Sequence, residues 1–356
     1  MKIENSKLKI PPNVAVAMSG GVDSAVVVQL LKNRGYNVIG VFMRMHKNSN
    51  PKDARMIAKK IGIDFKILAV QKEFKKRVID YFVNEYKKGN TPNPCVECNR
   101  WIKFRFLLKK MNELGADFVA TGHYARLRRE FPISNFRFPI KLLTAKDKQK
   151  DQSYFLWQLN QKQLSKILFP LGDYTKEQVK GLAKKFKLPV FNKPESQDVC
   201  FAVPRRSSDK IGTKRGDIIT TNGKIVGTHK GLMFYTIGQR KGIEIGGIGP
   251  FYVVKKDFKK NVLIISKNQQ DLMQKELVIK NVNWLNKPTK FPFKCGVKIR
   301  SMAKITNCSV SKLGNLKLNQ NSKFKIIFSS PQRAITPGQS AVIYLGNELI
   351  GGGVIV

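Results

Sequence analysis

Residues 14–33 read VAVAMSGGVDSAVVVQLLKN. A short β-branched run (Val14 to Met18) enters a turn of two glycines, and an apolar helix-like run leaves it, with Gly35 as a stop signal. A strand, a glycine turn and a helix in that order make an anion cradle. Backbone N–H groups of Gly20, Gly21 and Val22 can converge on a phosphate, and the helix adds the positive end of its dipole. Glycine suits the turn because the backbone must bend tightly and approach the ligand. Ser19 and Ser24 can add hydroxyl donors, whereas Asp23 is poorly suited to touch phosphate and would reach it through Mg²⁺. An ordinary turn capped by Asp23 or Ser24 is the plainer alternative. The whole hexapeptide between a strand and a helix favours the cradle. No lysine stands where G-x-x-x-x-G-K-[ST] requires one, so this is not a Walker loop.

The stretches that follow keep alternating. NVIGVFM (Asn37 to Met43) is a second strand, a helix runs from Pro51 to about Ile61, and FKILAV (Phe65 to Val70) is a third strand. A long amphipathic helix is expected from Glu73 to Lys88, another from Trp101 to Leu114, and a fourth strand in ADFVATGH. The pattern predicts an α/β doubly wound parallel sheet with ligands at the carboxyl ends of its strands. Past Cys200 glycines become frequent and short alternating strands replace helices. The expectation there is a small central β-rich domain and then a C-terminal antiparallel β-barrel, in which KCGVKIR, KFKIIFSS and SAVIYLG read as strands. The expected domains are residues 1–203, 204–270 and 271–356, with PRRSSDKIGTKRG as a basic loop.

The 356 residues suffice for two or three domains, each with its own core. No apolar run approaches the roughly 18–20 residues of a membrane span. The N-terminal stretch lacks the apolar segment of a signal peptide, so a cytoplasmic protein without a membrane partner is expected. Lysine and arginine number 66 against 24 acidic residues, a formal charge of +42. An excess of that size favours a polyanionic partner, nucleic acid first, because phosphate neutralisation releases counterions.

Five cysteines, an odd number sparsely spaced, argue against a structural disulfide framework. In TPNPCVECNRWIKF (Thr91 to Phe104), Pro92 and Pro94 should hold an extended segment that sets Cys95 and Cys98 just before a helix. The helix N-terminus, with Arg100, Lys103 and Arg105, should then lower the thiol pKa. C-x-x-C is also half of a zinc site, but no second close pair or nearby His completes it. Cys200 lies in the polar setting of Ser196, Gln197 and Asp198 and reads as an accessible thiol. Cys295 and Cys308 sit in strand-like runs and read as packing.

SGGVDS resembles the signature of the PP-loop ATP enzymes, which split ATP between the α and β phosphates. Together with TPNPCVECN–IKF, TGHYAR, KDQSYFL, SQDVCF, GLMFYTIGQRKG and TPGQSAV–GGG, in that order from Ala15 to Gly353, it resembles the tRNA-specific 2-thiouridylase family. The resemblance implies that ATP adenylates O2 of the wobble uridine in the anticodon stem-loop of tRNA (Lys, Glu and Gln acceptors). A persulfide sulfur then displaces AMP. It also implies Cys98 as nucleophile and Cys200 as persulfide carrier, pairing as a disulfide once sulfur is delivered, with a sulfur-donor protein or a persulfide or sulfide source as partner. The implied ATP site is Ala17, Met18, Ser19, Gly20, Gly21, Val22, Asp23, Ser24, Met43 and Gly122. The implied base and tRNA contacts are Asn93, Pro94, Cys95, His123, Lys150, Asp151, Gln152, Arg300, Ser301 and Gln339.

Two departures stand out. The family commonly has Asp where this chain has Cys95, which creates a three-cysteine set with Cys98 and Cys200. Such a set would suit an iron–sulfur cluster with one open iron, the alternative to a persulfide relay. Ser301 replaces an aromatic residue often found beside the arginine. Other readings are a different PP-loop adenylating enzyme, such as an amidotransferase synthetase or a tRNA lysidine synthetase, or a catalytically dead tRNA-binding protein.

Overall fold

The computed structural model describes residues 11–129, 139–194, 200–201, 214–243, 245–246, 250–314 and 322–356. Ser196, Gln197 and Asp198 and most of the basic loop lie outside the described residues. The chain divides into two units. The first is Met1–Val78, Cys95–Cys200 and Asn347–Ile350; the second is Ile79–Pro94, Phe201–Gly346 and Gly351–Val356.

The first unit begins β1 (Asn13–Ala17), α1 (Val22–Asn33), β2 (Asn37–Arg44), α2 (Lys52–Ile61), β3 (Asp64–Ala69) and α3 (Gln71–Phe74). A π-helical segment, Lys75–Ile79, leads to α4 (Asp80–Lys87), which is counted with the second unit. Next come α5 (Pro94–Glu97), a second π-helical segment (Cys98–Phe104) and α6 (Arg105–Glu113), in unbroken succession. Then follow β4 (Phe118–Ala120), β5 (Ala125–Arg128), β6 (Lys141–Thr144), α7 (Gln161–Leu164), β7 (Ile167–Leu168) and α8 (Lys176–Lys185).

Five parallel strands take the order β3-β2-β1-β4-β7. Val14, Ala15 and Val16 of the central strand are wholly buried. A strand covered on both faces needs no polar alternation, which is why VAVA reads as one apolar run. The chain adds β2 and β3 on one side of β1, then returns to place β4 on the other. The order therefore reverses between β1 and β4, where this architecture opens its ligand crevice. α2 buries Ala54, Ile57, Ala58 and Ile61, one face at helical spacing, and ends at Gly62, whose φ of 70° is left-handed. Thr175 and Gln178 form a capping box that starts α8, whose Val179 and Ala183 join α1 in the core.

The cysteine segment differs from expectation. Helix begins at Pro94, so Cys95 and Cys98 lie inside it instead of ahead of it. Proline is well placed there, because the first helical residue has no intrahelical use for its N–H. The hairpin of β5 and β6 was also not foreseen. Its second strand pairs with Glu348 and Leu349, some two hundred residues on, which supply a partner that no local pattern announces.

The second unit holds β8 (Gly216–Thr220), β9 (Ile225–His229), β10 (Tyr252–Asp257) and β11 (Val262–Ser266) in a sheet of order β10-β11-β8-β9. Ile218, Val253, Leu263 and Ile265 are the centre of its core. β12 (Met273–Trp284), β13 (Phe293–Lys298), β14 (Thr306–Leu313), β15 (Lys323–Arg333), β16 (Ser340–Leu345) and β17 (Glu348–Ile355) follow, β17 being counted with the first unit as far as Ile350. Neighbours run β12-β15-β14-β13-β16-β17, and the pairing of Ile279 with Ile355 and Trp284 with Gly351 closes the barrel. Cys295 and Cys308 face each other across β13 and β14, both buried, with Sγ atoms 3.5 Å apart. Among the described residues no helix is long and apolar enough to cross a membrane.

Candidate active site

The chain leaves β1 through Met18–Gly21 and enters α1 at the carboxyl edge of the sheet. Gly20 has φ 79°, and a Cβ there would stand 3.0 Å from Cβ of Asp53 and 3.2 Å from the amide nitrogen of Ala54. Both facts require glycine. Gly21 is the N-cap of α1 and no side chain caps the helix, which keeps its first amides available to an anion. Ser24 Oγ donates to the Gly21 carbonyl (3.0 Å) and accepts from the Ser19 amide (3.3 Å), while Ser19 Oγ accepts from the Gly21 amide (3.3 Å). The two hydroxyls thus brace the loop.

Asp23 accepts at Oδ1 from Lys176 Nζ (2.7 Å) and from the Tyr124 hydroxyl (3.0 Å). The Lys176 side chain is 9% exposed and that of Asp23 33%. Lys193 donates to the Gly20 carbonyl (3.3 Å) and pairs with Asp53. The loop that lacks a lysine thus receives two, from 153 and 173 residues away in sequence. Sequence reading missed both. Lys176 had a signal: it is the first residue of a capped helix, where the dipole disfavours a cation unless a carboxylate holds it. Nothing local marks Lys193.

Met43 is buried near the end of β2, and Gly122 follows β4. A Cβ on Gly122 would lie 3.2 Å from Cβ of Asp23 and 3.4 Å from the Ser24 amide, so the chain after β4 packs directly on the start of α1. Ala17 to Ser24, Met43 and Gly122 therefore gather at the carboxyl ends of three adjacent strands.

All five cysteines are free thiols; Cys98 is 5% exposed, Cys95 and Cys200 are exposed. Burial pushes the Cys98 thiol up to about 12, opposed by Lys103 and reinforced by Cys200 and Cys95. Cys95 and Cys200 reach water with part of their surface, yet the protein packed around their sulfurs desolvates and raises both, again against Lys103. The expected lowering of thiol pKa is thus reversed. Arg100 and Arg105, counted as activating charges, instead stack on Trp101, with guanidinium carbons 4.5 and 4.8 Å from the ring centre. Lys103 alone among the three cations acts on the thiols. A five-residue step turns about 140° round an α-helix. Hydrogen bonding from i to i+5 in the π segment brings Lys103 back towards the Cys98 face. Among the described residues no three His, Cys, Asp or Glu are gathered as metal ligands. The three thiols do not fit an iron–sulfur cluster in this arrangement.

His123 is buried, with Nδ1 2.8 Å from Thr121 Oγ1 and rings of Phe104 (5.6 Å) and Phe169 (6.0 Å) around it. Burial, and then Lys103, lower its pKa well below the usual range, so the ring is neutral. The side chain that the resemblance implied as a base or tRNA contact is thus a largely interior one. Asp151 is buried and accepts from the Ala145 amide (3.0 Å) and Ser153 Oγ (3.0 Å); Gln152 accepts from the Tyr124 amide (3.0 Å). Those two side chains brace the turn that carries half-buried Lys150.

Asn93, Pro94, Arg300, Ser301 and Gln339 fall in the second unit. Arg300 donates to the Ala334 carbonyl (2.7 Å) and to Thr336 Oγ1 (3.0 Å). Ser301 is half-buried, and the apolar side chain exposed beside it is Met302. Gln339 Nε2 donates to the Thr91 carbonyl (2.7 Å), and the Thr91 amide donates to the Pro337 carbonyl (2.9 Å). The segment leading to Cys95 is held by that pair of bonds.

A glycine loop at the strand-order reversal of a parallel sheet, closed by lysines from elsewhere in the unit, defines a PP-loop nucleotide-binding α/β protein. Residues 12–204 match the family model described as tRNA methyl transferase HUP domain, 208–267 its PRC-barrel domain and 274–355 the aminomethyltransferase beta-barrel domain. The tRNA-specific 2-thiouridylase MnmA of Clostridioides difficile (strain 630) is 41% identical over 364 residues, covering 96% of this chain and 97% of that protein. The protein of the same name from Buchnera aphidicola subsp. Acyrthosiphon pisum (strain APS) is 40% identical over 371 residues, covering 98% of each. The chain belongs to the tRNA-specific 2-thiouridylase family.

Proposed function

We propose that this chain is a tRNA-uridine 2-sulfurtransferase, working on the wobble uridine of tRNAs of the Lys, Glu and Gln type. ATP, when bound, supplies the adenylyl group that makes O2 of the base a leaving group. The amides of Gly20 to Val22 hold its phosphates, and Lys176 and Lys193 add the charge that the loop lacks. Asp23 anchors Lys176 at the loop; no step is assigned to Mg²⁺. A persulfide on Cys200 presents its terminal sulfur to C2 as AMP leaves. The Cys98 thiolate attacks Sγ of Cys200, which breaks the S–S bond of the persulfide and leaves 2-thiouridine and a Cys98–Cys200 disulfide. An external thiol returns the two electrons that reset the pair. Lys103 stabilises the anionic sulfur. Arg300 and the barrel, residues 271–356, contribute to tRNA binding.

One observation carries the reading. Lys103 acts on Cys95, Cys98 and Cys200 and also on His123, one residue beyond Gly122, which packs on Asp23 and Ser24. This shared cation supports a relay in which the thiols work close to the glycine loop within one unit.

The test is nucleoside analysis of tRNA incubated with ATP, Mg²⁺ and a persulfide source. The wild type should form 2-thiouridine, Cys98→Ser and Cys200→Ser should form none, and Cys95→Ser should keep substantial activity. Equal loss in all three variants, with stoichiometric iron in anaerobically purified protein, would replace the relay by a cluster. Absence of 2-thiouridine from the wild type would overturn the function.

A further inference from the structure

Trp101 gathers three guanidinium groups. Arg77, from the π segment Lys75–Ile79, has its guanidinium carbon 4.4 Å from the ring centre, Arg100 lies at 4.5 Å and Arg105 at 4.8 Å. The indole is tied at its polar edge: Nε1 donates to Glu97 Oε2 (2.8 Å), and Gln158 Nε2 donates to Glu97 Oε1 (3.1 Å). The three arginines are exposed and Trp101 is half-buried. Among the described residues none of the three lies within ion-pair distance of a carboxylate.

Both π segments contribute to this arrangement. Arg100 and Arg105 are five residues apart and would diverge by about 140° on an α-helix. The π segment Cys98–Phe104 between them lets both reach one ring. Three like charges at one indole repel, and cation–π attraction offsets this only in part. One carboxylate, already shared between Trp101 and Gln158, does not neutralise them. A polyanion would. A guanidinium stacked on an aromatic ring spends its face and keeps its N–H edge, which matches a phosphate in two-point geometry. Aromatic and guanidinium planes together also offer a stacking platform for an unpaired base.

We infer that Arg77, Arg100 and Arg105, fanned around Trp101, form a docking patch for the phosphodiester backbone of tRNA, built from the helix that carries Cys95 and Cys98 and from the segment Lys75–Ile79. This rests on the tRNA reading above. An acidic protein fits less well, because protein interfaces need an apolar centre. None of the large apolar side chains exposed among the described residues comes from positions 71–113.

The experiment measures binding of an unmodified tRNA transcript to the full-length protein without ATP or sulfur donor, between 50 and 200 mM salt. Fluorescence of Trp101 should be quenched in step with binding, and Trp101→Phe should remove that quench. The Arg77→Gln/Arg100→Gln/Arg105→Gln variant should lower the slope of log affinity against log salt by about 2–3, at ~0.7–0.9 per phosphate contact. Across that salt range the wild type should therefore lose about 20–40-fold more affinity than the variant. A single Arg77→Gln change, remote from the thiols in sequence, should lower the slope by about one third as much. An unchanged slope in a variant that melts like the wild type would overturn the patch and leave the sulfurtransferase reading standing. A poly-glutamate that competes as well as RNA of equal charge would assign the patch to an acidic protein and equally overturn it. Failure of the wild type to bind tRNA at all would remove both.

Discussion

Cys98 should be among the slowest thiols in this protein to alkylate at neutral pH. Its thiol is pushed up to about 12 by burial. At pH 7.5 its thiolate fraction is then roughly 3 × 10⁻⁵, against about one tenth for an ordinary thiol of pKa ~8.5. The ratio is ~3,000. A thiolate of higher pKa is intrinsically more nucleophilic, and a Brønsted slope of about 0.45 over 3.5 units returns ~40-fold. The net expectation is alkylation about 80-fold slower than an unperturbed cysteine, before any hindrance from burial. Because only the thiolate reacts, the rate should rise tenfold per pH unit from 7 to 9.5 without levelling. The assay is iodoacetamide labelling in the reduced, ligand-free protein, read peptide by peptide by mass spectrometry at five pH values. Lys103→Met removes the cation that opposes burial at Cys95, Cys98 and Cys200, so it should slow labelling at all three; Arg100→Met should leave all three unchanged. Cys98 labelling as fast as a short thiol peptide, or a plateau below pH 9, would refute the argument.

Lys176→Met removes the cation on Asp23. It should cost about 1–2 kcal/mol in chemical denaturation, less than a fully buried pair because Asp23 keeps a third of its surface in water. It should also suppress tRNA-dependent pyrophosphate release, and wild-type values for both would sink the role given to this lysine. Gly20→Ala forces a Cβ into left-handed backbone against Asp53, which should cost ~1–2 kcal/mol and abolish ATP binding by calorimetry. Unchanged binding would show that the loop does not need its observed shape.

The parts legible in the sequence were those with local causes. Apolar runs too continuous to be surface strands announced the parallel sheet, and SGGVDS announced the turn at its edge. Alternation in KFKIIFSS and SAVIYLG marked barrel strands, and β15 and β16 stand there. What stayed hidden depends on residues far apart. Lys176 and Lys193 have no spacing relation to the loop that they serve. The pKa of Cys98 follows burial, not the charges beside it in sequence, two of which the fold diverts to Trp101. The start of helix at Pro94 overrode a reading of Pro92 and Pro94 as extended, because proline is tolerated at a first helical position.

Both units are stitched by chain made late. β6 pairs with Glu348 and Leu349, and the barrel closes only when β17 reaches Ile355. The Thr91 carbonyl, four residues before Cys95, waits for the amide of Gln339. On the ribosome, an emerging chain can therefore form the sheet and its glycine loop early, while the segment leading to Cys95 lacks its tether until translation has passed residue 339. Vectorial synthesis thus separates in time the folding of the glycine loop from the anchoring of the segment before Cys95, and a nascent chain stalled between them would carry that segment untethered.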